Sequence, residues 1–302
     1  MTKKILITGG SGFIGRAVRE ELDKKEFEIL TVGRNQNEDI RIELTDTGLK
    51  KIVNDFSPEI ICHFASGSSI AKANENKEKE SQDTIVATAN LLKSLKDLKP
   101  KIIYLSSQAV YGFTNKLPIK EIDKVNPNTI YGHNKLEVEN LIQESNLNFV
   151  IFRVSSVFGP GQDFSKSGVI AKFIDKLTRN QPPIVFNSFN LFSDFIFIKD
   201  IVSAITQITK TNSPEKEIYN LASGKPVTLK EVLDILYKYF PNAPEPLLEL
   251  NDLYPDEKQR GIYLDISKIQ QNLDWSCKYN VESGLNEMLK DKHHEVLCKK
   301  NN

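Results

Sequence analysis

Cysteine is scarce in this chain of 302 residues, with only Cys62, Cys277 and Cys298 present. Their number is odd and their spacing fits no metal-binding pattern, so no metal site is expected. Cys62 lies inside the apolar run Ile60-Ile61-Cys62-His63-Phe64, the setting of a reduced, buried thiol. Charge of one sign is missing as well. With 40 basic against 40 acidic residues there is no global field to draw nucleic acid or an anionic membrane, although a local cationic cleft stays open. No apolar run approaches the ~18 to 20 residues that span a bilayer, and no basic stretch at the N-terminus leads into a cleavable apolar one. No internal repeat is present. The expectation is a soluble, cytoplasmic protein with neither nucleic acid nor membrane as partner, large enough for one α/β unit or two lobes.

Strand-like and helix-like patterns alternate through the first half. Strands are expected at Lys4 to Thr8, Glu28 to Val32, Ile40 to Leu44, Glu59 to Phe64, Lys101 to Ser106 and Phe149 to Val154. Between them, helices are expected from the glycines after Thr8 to about Lys25, and over 48–56, 83–98 and 131–145. Apolar strands alternating with amphipathic helices imply an α/β fold, a Rossmann-type doubly wound parallel sheet that binds ligands at the carboxyl ends of its strands. After Val154 the pattern loosens, with Gly159-Pro160-Gly161, Pro182-Pro183 and a proline-rich stretch from Pro241 to Pro246. Helices are expected near 168–180, 199–210 and 228–239. The division expected is an NAD(P)-binding domain over 1–155 and a smaller, interleaved C-terminal substrate-binding lobe over 156–302, with about 194–210 packing back on the first domain. The polar segment Ser66 to Ser81 reads as a loop over the cleft or in solvent, and the Lys/Asn-rich tail after Met288 as frayed.

Three local patterns carry chemistry. Gly9, Gly12 and Gly15 stand three apart, around Phe13 and Ile14, directly after a strand and at a helix start. Glycine there allows a tight turn and lets backbone amides reach a pyrophosphate at the positive end of the helix. The end of the second strand sets cofactor choice. An Asp or Glu there accepts from the ribose hydroxyls of NAD, whereas an arginine suits the 2′-phosphate of NADP. Here Gly33 and Arg34 come first and no acid appears until Glu38, which favours NADP(H) over NAD(H); the alternative is that Arg34 stacks on the adenine of NAD. Finally, Tyr131 and Lys135 stand at i, i+4 on one helical face, downstream of Leu105-Ser106-Ser107 at the end of another apolar run. A phenol of ordinary pKa ~10 needs a nearby cation to exchange protons near neutrality, and a lysine plus an oxidised nicotinamide supplies it.

Taken in order, Gly9-x-x-Gly12-x-x-Gly15, His63-Phe64-Ala65, the run Ser106 to Gly112, Tyr131-x-x-x-Lys135, the run Arg153 to Gly161, Asp194 to Asp200, Tyr219 to Gly224 and Leu264 to Lys268 give the chain a family likeness. It resembles the extended short-chain dehydrogenase/reductase family, the nucleotide-sugar epimerase/dehydratase group, from Lys3 to about Leu289. The resemblance implies Tyr131 as general acid/base at a sugar hydroxyl or carbonyl. Lys135 would lower its pKa and bind the nicotinamide ribose, and Ser107 would hydrogen-bond the same oxygen. It places Phe64, Ala65 and Ser66 beside the cofactor, makes Asp194 and Asp200 structural, and implies a homodimer through the helices over 83–98 and 131–145. Their stripes are Ile85, Ala89, Leu92 and Leu136, Ile142. His63 reads as a satisfied near-core histidine and Trp275 as core.

Departures from the family pattern narrow the reaction. Where its 4,6-dehydratases carry two acids after the catalytic serine or threonine, this chain has Gln108 and Ala109, which disfavours dehydration. Ser193 stands where an arginine near the diphosphate is common, and Ser156 and Thr84 stand where asparagines are frequent. Substrate contacts are therefore expected from Ser107, Gln108, Ser156 and Arg260, with Lys166, Lys172 and Arg179 as further cations. Gly33-Arg34 and the short connection to Ile40 tilt the expectation toward reduction of a 4-keto-(6-deoxy)sugar nucleotide. An NAD-dependent nucleotide-sugar 4-epimerase is the alternative, and a non-catalytic NADP-binding regulator is the reading of another class.

Overall fold

Runs such as Ile5-Leu6-Ile7, Ile60-Ile61-Cys62 and Ile102 to Leu105 have no polar face, so each needs cover on both sides. A computed structural model shows how they obtain it. It describes residues 2–299 except 24–26, 68–72, 75, 115, 165–167, 212–214 and 251–260, with the backbone alone of 23 and 291–299. Strands β1 (Lys4–Thr8), β2 (Glu28–Gly33), β3 (Ile40–Arg41), β4 (Ile60–His63), β5 (Lys101–Ser107), β6 (Asn148–Val154) and β10 (Glu217–Leu221) form one seven-stranded sheet. Its order is β10-β6-β5-β4-β1-β2-β3 and every neighbouring pair is parallel. The order reverses between β1 and β4, the position where such sheets open a ligand crevice.

Helices cover the two faces. On one lie α2 (Leu49–Phe56), α4 (Ala87–Ser94) and α5 (Ile130–Glu144), which bury Leu49, Val53, Leu91, Val138 and Ile142 against Leu6, Ile61 and Tyr104. On the other, α1 (Phe13–Asp23) and α7 (Ile198–Lys210) pack together and bury Val18, Leu22, Ile201 and Ile205 in the larger core. Much of the dimer stripe is used within the subunit. Ile142 is fully buried and Leu92 and Leu136 pack against core clusters, whereas Val86 and Ala89 remain exposed.

The second half adds a smaller lobe. Strand β9 (Phe192–Phe197) pairs with β7 (Ser156–Phe158), β11 (Pro226–Thr228) and β13 (Gly261–Ile262), and β8 (Ile184–Phe186) pairs with β12 (Leu247–Glu249). Helices α6 (Val169–Thr178), α8 (Leu229–Tyr239), α9 (Ser267–Leu273) and α10 (Val281–Lys299) complete it. The tail expected to fray is helical as far as Lys299. Part of the polar segment after Ser66 is helical among the described residues. Asn76 caps a short helix α3 (Lys77–Ser81), whose Glu80 is buried, and a π-helical turn over Gln82–Val86 joins it to α4.

One ion pair fastens α5 to β6. Arg153 Nη2 lies 2.7 Å from Glu139 Oε2 with both side chains buried, and Arg153 Nε donates to both carboxylate oxygens. Ser106 Oγ also donates to Glu139 Oε1, and the guanidinium stacks 4.9 Å from the Tyr111 ring centroid. Breaking such a pair from one side leaves an uncompensated buried charge. Arg153→Met is therefore expected to cost about 3–5 kcal/mol of stability, read as a lowered urea midpoint; a loss under about 1 kcal/mol would show that Glu139 is solvated.

Candidate active site

The glycine loop closes against the next strand. Gly9 has φ +72°, and a Cβ on it would meet the Ala65 nitrogen at 2.9 Å, while one on Gly15 would meet the Gly9 carbonyl at 2.1 Å. Only glycine lets β1, the turn and α1 come this near, and Gly9, Gly12, Phe13, Ile14 and Gly15 all line a cleft of about 1310 Å³. Phe64, Ala65 and Ser66, following β4, line it too, as does Arg34 after β2.

Three carboxylates share the Arg34 end of the cleft: Glu38, Glu43 and Asp83. Arg34 Nη1 donates to Asp83 Oδ2 at 2.7 Å and Nε lies 3.9 Å from Glu43 Oε2. Glu38, which the sequence reading passed over as too late for the strand end, is buried. Its Oε1 accepts from the Ser11 N–H at 2.9 Å and from Ser11 Oγ at 2.6 Å. Its Oε2 is buried without a partner among the described residues, a fit for a hydroxyl donor such as the ribose of a dinucleotide.

Farther along, the ends of β4 and β5 meet the first turns of α5. Thr129 caps α5 by accepting from Gly132 N–H, which sets Tyr131 and Lys135 one turn apart on the cleft side. Lys135 is buried. Its Nζ donates to Leu105 O at 2.8 Å and to Ser66 Oγ at 2.7 Å, and it sits 5.0 Å and 5.6 Å from the ring centroids of Tyr104 and Tyr131. Burial lowers its pKa to about 8, with Glu80 and Glu139 acting in the opposite direction. The Tyr131 phenol moves the other way, pushed up to about 12 by burial, with a hydrogen bond to Ser107 lowering it and Glu80 raising it. The ammonium faces the Tyr131 ring, and the lowering of the phenol expected from Lys135 gives way to the effect of burial. Ser107 closes β5 and accepts from the Ala109 N–H at 3.2 Å. This Ser/Tyr/Lys array suits proton exchange with an oxygen bound beside Ser107.

Beyond Ser107 three neutral polar side chains, Gln108, Ser156 and Ser193, line the cleft together. Gln108 Nε2 donates to Ser156 Oγ at 3.3 Å, Ser156 Oγ bonds Ser193 Oγ at 2.9 Å, and Gln108 Oε1 is buried without a partner among the described residues. Lys172 lines the cleft, whereas Arg179 is exposed and pairs with Asp175. Arg260 and Lys166 lie outside the described residues. Asp194 is buried and bonds Ser223, Gly224 and Leu264, and Asp200 bonds Lys278 and Tyr279, so both tie loops together. Trp275 and Cys62 are buried, and burial pushes the Cys62 thiol up. The residue that sequence reading missed here is Glu80. It comes from a segment whose polarity read as loop, and only its turn of helix beside Gly67 reveals it.

Comparison with known proteins places these features. A family model described as "NAD dependent epimerase/dehydratase family" matches residues 5–222. The Methanocaldococcus jannaschii protein named "Putative UDP-glucose 4-epimerase" is 30% identical over 302 aligned residues, which cover 93% of this chain and 95% of that protein. The dTDP-4-dehydro-6-deoxyglucose reductase of Escherichia coli is 26% identical, covering 98% of each chain. Among solved structures, UDP-glucuronic acid 4-epimerase from Bacillus cereus, in complex with UDP-glucuronic acid and NAD, has a similar fold. Its TM-score is 0.87 at 21% identity, with 97% of this chain and 99% of that chain covered. Three further solved structures of similar fold likewise hold NAD.

These findings overturn the expectation of NADP(H). NAD is the bound cofactor in the similar structures, and Arg34 does not stand ready for a 2′-phosphate, because Asp83 and Glu43 already engage it and Glu38 adds a third carboxylate nearby. A further phosphate would meet net negative charge. No helix among the described residues is long and apolar enough to cross a membrane.

His63 is satisfied on both sides. Its Nδ1 pairs with Thr8 Oγ1 at 2.7 Å and its Nε2 with Thr88 Oγ1 at 2.8 Å. Burial, aided by the charge of Lys135, lowers its pKa to about 3. A base whose folded pKa is depressed lets the unfolded chain take the proton first, so stability is full above the unfolded value near 6.5 and falls as pH drops below it. Between pH 7.5 and 5 the expected loss from His63 is about 2 kcal/mol. Its imidazole resonances should stay fixed over that range by NMR, and titration near pH 6.5 would contradict the assignment.

Proposed function

Because the chain belongs to the NAD dependent epimerase/dehydratase family, we propose that it is an NAD-dependent nucleotide-sugar 4-epimerase with Ser107, Tyr131 and Lys135 as its catalytic residues. The observation that carries the choice of reaction is the set of carboxylates around Arg34. They favour NAD, which an epimerase keeps and recycles, over NADPH, which a reductase draws from a pool. The preference for reduction rested on Arg34 selecting NADP(H), and that support has gone. Net reduction of a 4-keto sugar remains the second reading, favoured by the likeness to the E. coli reductase.

In this reading the turn set by Gly9, Gly12 and Gly15 brings the first N–H groups of α1, at Phe13 and Ile14, to the pyrophosphate, those of Gly9 and Gly12 being engaged by Val32 O and Gly9 O, and Glu38 Oε2 takes a ribose hydroxyl. Phe64, Ala65 and Ser66 flank the cofactor. Bound NAD supplies reversible hydride acceptance at the sugar carbon. The chain's own residues handle the proton. Tyr131 takes it from the sugar hydroxyl and returns it, Ser107 holds the same oxygen, and Lys135 steadies the phenolate while binding the nicotinamide ribose. Gln108, Ser156 and Ser193 are neutral donors and acceptors that orient the sugar without offering an acid for water elimination. Arg260 is the proposed clamp on the diphosphate, and a homodimer would use the outer face that exposes Val86 and Ala89.

Incubation with UDP-glucose, followed by chromatography of the sugar nucleotide, should show inversion at C4 with no net change in reduced cofactor. Oxidation of one NADPH for each keto sugar consumed would reject epimerisation in favour of the second reading. Tyr131→Phe should lower turnover by roughly 10²–10⁴-fold while bound NAD is retained; full turnover in that variant would remove Tyr131 from the catalytic role.

A further inference from the structure

Glu80 stands on α3, in a segment with no motif, yet its side chain turns inward and is buried. Its backbone N–H donates to Asn76 O at 3.0 Å, and α3 packs on α5. The carboxylate rests on Gly67, where an added Cβ would meet Glu80 Oε1 at 1.2 Å. Gly67 is itself pinned, its N–H donating to Thr84 Oγ1 at 2.9 Å. The residue before it, Ser66, accepts from Lys135 Nζ at 2.7 Å. Carboxylate and ammonium thus lie on the two adjoining residues Gly67 and Ser66.

The other groups facing Lys135 do not duplicate this. From β5 come the Leu105 carbonyl and the Tyr104 ring, from β4 the neutral His63, and from α5 Tyr131 and Glu139. Glu139 is engaged by Arg153 and Ser106. We propose that Glu80 is a positioning residue that keeps Lys135 an ammonium and sets the pH range over which the Ser107, Tyr131, Lys135 array works, with Gly67 as the seat of its carboxylate. The role rests on the epimerase reading for its kinetic expression. Burial alone lowers the proton affinity of Lys135, and Glu80 is the first of the groups opposing it; the same carboxylate also raises Tyr131.

The sign follows from losing one negative charge beside two titrating groups. In Glu80→Gln both limbs of the kcat/KM profile should move to lower pH, by on the order of one unit. Activity just above the wild-type alkaline limb should then fall about tenfold while activity below the acid limb rises. Glu80→Asp should recover part of the displacement. Gly67→Ala, which keeps the charge but unseats it, should move the limbs in the same direction, and it carries the test if Glu80→Gln does not fold. A uniform loss at every pH with both limbs unmoved would overturn the proposal and leave Glu80 a packing residue. The titration of Lys135, followed by 15N NMR on the NAD-loaded proteins, reads the same point without turnover. A downward shift in Glu80→Gln supports the role even if wild type fails to invert UDP-glucose, which would reject the epimerase reading alone, and an unmoved titration rejects the role.

Discussion

An ammonium removed from water at the carboxyl end of the sheet is the constraint around which the site is built. Lys135 reaches its place because Thr129 sets the start of α5, and it is tolerated there because two oxygens and two ring faces meet it. Those partners come from the end of β5, the loop after β4 and α5 itself. Fixing one cation therefore fixes the relative placement of three segments distant in sequence. The Arg153–Glu139 pair holds α5 to β6 just behind, and its link to Ser106 keeps the last residues of β5 from shifting. Tyr131, one turn earlier on α5, inherits this rigidity.

Proton affinities at the two ends of the array are driven apart. Burial weakens the hold of Lys135 on its proton and strengthens that of Tyr131. With the ammonium over the ring of the tyrosine, the array favours phenol over phenolate until further positive charge is nearby. Such a balance ties acid/base readiness to the charge of whatever occupies the cleft.

Local pattern made part of this legible in the sequence. The apolar strands, the glycine spacing after β1 and the pair Tyr131 and Lys135 each show themselves within a few residues, and Ser107 follows from its place at a strand end. What escaped depends on contacts between distant segments. Arg34 looks like a phosphate ligand until Asp83, 49 residues away, is found against it. Glu38 lies beyond the strand end, and only the fold of the loop returns it to Ser11. Glu80 sits in a run of charged residues with no apolar period, so nothing local marks one carboxylate as buried and its neighbours as solvated. Acid residues change meaning with their partners, and partners are a property of the fold.

The placement of β10 has a consequence for how such a chain can be divided or diversified. This strand, which follows the smaller lobe in sequence, closes the edge of the main sheet against β6, and α7 from the same half covers α1. A fragment ending near residue 155 would bare the β6 edge along Asn148–Val154 and uncover the α1 face that buries Val18 and Leu22. The first half is thus no portable module. On the proposed function, new sugar preferences would have to arise by change around Gln108, Ser156 and Ser193, since an exchange of whole lobes would take a strand of the sheet with it.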